Sequence, residues 1–138
     1  MKSQTTSTNR WTPHMLSLFR VMVALLFLQH GCQKLLGFPP GSSPVPLHSL
    51  AGVAGMLELV GGILLLMGLM VNLVAFLLSG EMAVAYFLMH ASHSFYPVLN
   101  HGELAVLYCF AFLFFAVAGG GTWSIDYLRR GRSKHDSP

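Results

Sequence analysis

Charge is what this sequence has least of. Only 9% of its 138 residues are Asp, Glu, Lys or Arg, against roughly 25% in an ordinary soluble domain. A chain of this size has a high surface-to-volume ratio and would need many polar groups to cover itself in water. Eight basic and five acidic side chains cannot do that. Cysteine is scarce too. Cys32 and Cys109 stand alone, with no Cys-X-X-Cys pair, which removes a disulfide framework and a dithiol redox motif. Each reads instead as a small apolar side chain. There is no metal-ligand cluster, no phosphate-cradling glycine loop and no nucleophilic triad. The formal charge of +3 comes from basic tails, and next to a bilayer such tails meet anionic headgroups and not nucleic acid.

What the chain has in quantity is apolar length. Hydrophobic residues make up 54% and fall into four blocks, about 15–36, 50–70, 73–91 and 100–118. At 1.5 Å per residue, blocks of about 20 residues match a hydrocarbon core of roughly 30 Å. Lipid offers the backbone no hydrogen bonds, so such runs must be helices or barrel strands. Strands would be half as long and would alternate polar with apolar. The first block lacks a small-residue cleavage pattern and reads as a span, not a signal. The expected fold is therefore an all-α membrane protein: an antiparallel bundle of four transmembrane helices over 15–121. A tail of residues 1–14 precedes it. After Gly119, Gly120 and Gly121, residues 122–138 form a short interfacial helix, anchored by Trp123 and Tyr127, and a basic tail.

Lys2, Arg10 and Arg20 mark the N-terminal side, and Arg129, Arg130, Arg132 and Lys134 the C-terminal side. The long loops 37–49 and 92–99 carry neither Lys nor Arg. The positive-inside rule then places both tails in the cytoplasm. Between helices two and three, Asn72 reads as an N-cap.

Ionisable groups within a membrane are costly and face protein or water-filled space. Glu58 and Glu81 are two such groups, each near the midplane. Ala51, Gly55 and Gly62 share the Glu58 face, a small-residue stripe that turns this carboxylate toward other helices. Glu81 and His90 lie about 180° apart on helix three by the 100° step of a helix. On helix one, Gln29, His30, Gln33 and Lys34 form a polar face, although Lys34 by itself can snorkel to the surface. Asn100 and Glu103 fit a capping box that opens helix four. Cations and carboxylates at one depth should pair, so one polar pocket is expected in the outer half of the bundle. Its residues are His30, Lys34, Glu58, Tyr86, His90 and Glu103, with Glu81 as its floor. The bland alternative makes each glutamate hydrogen-bonded structural glue.

The chain resembles the DoxX family of small bacterial inner-membrane proteins over about residues 18–130. Leu18, Phe19 and Arg20 carry the resemblance, with His30 to Lys34, Leu57 to Gly62, Gly80 to Phe87, Asn100 to Glu103 and Gly121 to Asp126. It implies the four-helix fold and an inner-membrane location. It also implies association with a quinone-linked or thiol/sulfur redox system, since the family is named for a sulfur-oxidation system with a thiosulfate:quinone oxidoreductase. A quinone is the cofactor these residues could hold, with Phe87, Tyr96 and the helix-four phenylalanines as an aromatic wall. Haem would need facing histidines, and those of the loops are of the kind water normally solvates. Two other readings stay open: a non-catalytic scaffold for partner proteins, or a small transporter or proton pathway using Glu58 and Glu81. The expected partners are the lipid bilayer, redox proteins or further copies of the chain.

Overall fold

In the computed structural model, which describes residues 10–41 and 43–133, six helices follow one another: α1 (Thr12–Leu36), α2 (Leu50–Met67), α3 (Val71–Met89), α4 (Pro97–Asn100), α5 (Glu103–Ala118) and α6 (Ile125–Ser133). No strand occurs among the described residues. Lys2 and Lys134, used above for orientation, lie outside them. Three helices, α1, α2 and α3, are long and apolar enough to cross a membrane. The fourth apolar helix, α5, has 16 residues and spans about 24 Å. It starts later than its apolar run because His101 adopts a left-handed conformation (φ 58°). Asn100 Oδ1 meanwhile accepts the Gly102 N–H at 2.8 Å. That local turn uses Asn100 and separates α4 from α5. The capping box expected of Asn100 and Glu103 does not form, because the N-cap position falls at Gly102.

Local chemistry sets the other ends. Pro13 sits in the first turn of α1, where its missing N–H costs nothing. Ser49 caps α2 by accepting the Gly52 N–H at 3.0 Å, and Gly68 ends α2 in the left-handed region (φ 69°). A side chain at Gly68 would also collide with Ser124, so conformation and space both require glycine there. Helix α3 begins at Val71 and not two residues later, and Asn72 does not cap it. Asp126 does so from a distance: its Oδ1 accepts the Met70 N–H at 3.0 Å and its Oδ2 the Val71 N–H at 2.9 Å. Asn72 donates instead to the Ala116 carbonyl at 2.8 Å.

The helices pack as two close pairs, α1 with α2 and α3 with α5, joined by a looser contact between α2 and α3. Glycine explains the first pair. A Cβ at Gly31 would stand 2.6 Å from the Leu59 nitrogen and 3.0 Å from the Gly55 oxygen, and one at Gly62 would strike Leu28. Backbones this close need hydrogen in place of side chains. The stripe on α2 is shifted from expectation, with Gly52 buried and Ala51 exposed. Between α1 and α5 the backbones stand further apart, and rings fill the space. Phe27 meets Phe112 at 4.7 Å and Tyr108 at 5.1 Å, and Phe19 meets Phe115 at 5.0 Å. The outside is apolar as well: Phe76, Phe87, Leu107, Phe110 and Val117 are exposed. Helices that are apolar all round are helices solvated by lipid.

Both described chain ends and the α2–α3 turn lie at one end of the bundle, the terminal end. Residues 37–41, 43–49 and 90–102 lie at the other, the loop end.

Candidate functional site in the bundle interior

Glu58 sits at the centre of α2 and is 2% exposed. Its Oε1 is paired with Lys34 Nζ at 2.5 Å, and its Oε2 has no hydrogen-bond partner. Tight α1–α2 packing brings the pair together. The Lys34 Cβ lies beside Gly55, so the lysine stem runs down α2 to the next turn and ends on Glu58. Lys34 therefore points inward instead of snorkelling. Glu81, on α3, has both carboxyl oxygens buried and unpartnered, and lies within electrostatic reach of Glu58 and Lys34. Three orphaned carboxylate oxygens in one region are expensive, since a buried acceptor without a donor loses its hydration for nothing. This is the chemically unfinished part of the molecule.

Tyr108 of α5 belongs to the same region. It is buried, within electrostatic reach of Glu58, and backed by Phe27 and Phe112. His30 presents its ring edge-on to Tyr108 at 5.9 Å. Four helices thus contribute: Lys34 and His30, Glu58, Glu81, and Tyr108. Tyr108 was missed by sequence reasoning, although a tyrosine amid the otherwise apolar face of α5 was the available signal.

The remaining expected site residues lie elsewhere, so the single pocket divides. Tyr86 and His90 stack at 6.4 Å and are clasped by Asn100. Its Nδ2 donates to the Tyr86 hydroxyl at 3.3 Å, and its carbonyl lies 2.9 Å from His90 Nδ1. A Cβ on Gly102 would press into the Tyr86 ring. This is a loop clasp, built around a residue read above as a cap. Glu103 is exposed. The expected aromatic wall also moves, since Phe87 and Tyr96 are exposed while Phe27, Tyr108 and Phe112 stand inside.

Arg20 forms a second buried polar centre at the terminal end. It is fully buried and satisfied by carbonyls alone. Nε donates to Gly120 at 2.9 Å, Nη1 to Leu65 and to Leu66 (2.8 Å), and Nη2 to Trp123 at 2.5 Å. The guanidinium thereby caps the last turn of α2, where the Leu65 carbonyl also accepts the Gly68 N–H at 3.0 Å, and ties it to the segment after α5. Cys32 and Cys109 are unpaired and partly buried.

Apolar helices packed around a lysine and two interior carboxylates define a helical membrane protein with an ionisable group at its core. The DoxX family model matches residues 15–91, more than half of the chain. A protein of Haemophilus influenzae described as uncharacterized is 41% identical over 123 residues, covering 85% of this chain and 92% of that one. No solved structure matches. The chain belongs to the DoxX family.

Proposed function

We propose that this protein is a membrane subunit of a quinone-linked or thiol/sulfur redox system, and that the Lys34, Glu58 and Glu81 group exchanges protons with a quinone headgroup. The observation that carries the reading is the set of three buried carboxylate oxygens without donors beside a half-buried ammonium. A quinone supplies two-electron chemistry that takes up or releases two protons. Glu58 and Glu81, when protonated, would hold those protons away from bulk water, and the Lys34 ammonium would supply a donor beside them. His30 and Tyr108 form a ring-lined side to the same space. The electrons are exchanged with a partner redox protein. Family membership supports the redox setting by analogy only.

The same reading includes four crossings with both termini cytoplasmic, in a bacterial inner membrane. Arg20, near the start of α1, bonds to Trp123 beyond α5, which supports a return of the chain to its starting side. The test is purification in mild detergent, followed by lipid extraction and quinone assay. Quinone should accompany the protein and fall in Glu58→Gln and Glu81→Gln. Wild-type protein without quinone would end this reading. A redox partner retained equally by both variants would favour the scaffold reading.

A further inference from the structure

At the terminal end, a cavity of about 210 Å³ lies between the first turns of α1 and α6. Pro13, Leu16 and Ala118 form its apolar side, and Thr122, Tyr127 and Arg130 its polar side. A second depression of about 390 Å³ lies across the first turn of α6, with Arg129 and Arg130 on its rim beside Leu73. The two share Arg130 and Asp126.

The charges here are uneven in a telling way. Asp126 has both carboxylate oxygens committed to the Met70 and Val71 N–H groups. Arg20 is buried against carbonyls. Among the described residues the one ion pair is Lys34 with Glu58, in the bundle interior. Arg129 and Arg130 are therefore exposed cations with no carboxylate of the described residues within 4 Å. Trp11, Trp123, Tyr127 and Leu128 are exposed at the same end of the bundle, the side-chain mixture of headgroup depth. We infer that this end of the protein holds an anionic glycerophospholipid, its phosphate on Arg130 and Arg129 and its acyl chains leaving past Leu16 and Leu73. Depth selects lipid over free phosphate: apolar walls adjoin the cations, and arginine presents a planar fork suited to phosphate oxygens.

The full chain, reconstituted in nanodiscs of phosphatidylcholine, tests this by native mass spectrometry and thermal unfolding as phosphatidylglycerol or cardiolipin is added. Anionic lipid should stay bound and raise the unfolding temperature, and Arg130→Ala should weaken its binding by about fivefold. Arg130→Lys should weaken it less, and Arg10→Ala, outside both depressions, should leave it unchanged. Unfolding in pure phosphatidylcholine checks that Arg130→Ala folds as wild type does. The inference fails if phosphatidylcholine stabilises equally, if Arg10→Ala matches Arg130→Ala, or if inorganic phosphate in detergent reproduces the lipid effect.

Discussion

Lys34 and Glu58 form a pair in which one partner is deeply buried and the other half-reaches the surface. Removing the cation alone strands a carboxylate in an apolar interior, a change that costs about 3 kcal/mol or more in buried pairs. Lys34→Met should therefore lower detergent stability substantially. Glu58→Gln added to it should restore part of the loss, because an amide needs no counter-charge. A double-mutant cycle reads the coupling directly, and strictly additive effects would mean that the pair carries no energy. The inward aim of Glu58 was legible in the sequence, since Gly55 and Gly62 share its face. The partner of that glutamate was not. Lys34 has a stem long enough to reach water or Glu58, and only the approach of α1 to α2 at Gly31 decides between them. Asn100 misled for a related reason: the same side-chain oxygen that caps helices also closes short turns, and the left-handed His101 selects the turn.

Two glycines, one on α1 and one on α3, separate packing from propensity. At Gly31 a methyl group would enter the α2 backbone, with 2.6 Å to the Leu59 nitrogen. At Gly80 nothing lies within 4 Å. Gly31→Ala should cost about 1–3 kcal/mol by forcing α1 from α2. Gly80→Ala should be neutral or stabilising by up to about 1 kcal/mol through helix propensity. Thermal unfolding of both variants in one detergent makes the comparison, and equal losses would show that α1 and α2 do not approach through Gly31. Glycine and proline mark element boundaries at Gly37, Gly68 and Pro13, although the apolar blocks alone put two of those boundaries at 70 and 15. Boundaries were missed where the determinant is remote. Asp126 lies 56 residues from Met70, so no local pattern reveals that α6 caps α3, and Asn72 looked like the nearer candidate.

Across the whole molecule, the basic side chains that mark one end are Arg10, Arg129 and Arg130, while Lys34, the exception at the loop end, is internally paired. That removes the one charge that opposed the orientation read from the sequence. A cytoplasmic reporter fused after Pro138 should be active and a periplasmic one silent. Periplasmic activity would reverse the orientation or leave α5 short of a crossing.

Arg20 also bears on how the chain is completed in the membrane. Two of its acceptors, the carbonyls of Gly120 and Trp123, are contributed by residues 100 and 103 positions later. During synthesis Nη1 meets the Leu65 and Leu66 carbonyls once α2 is in place, while Nε and Nη2 wait for the segment after α5. A chain cut short before Trp123 leaves Nη2 of that guanidinium without its acceptor. The segment that follows α5 is thus the one that lets the first helix settle.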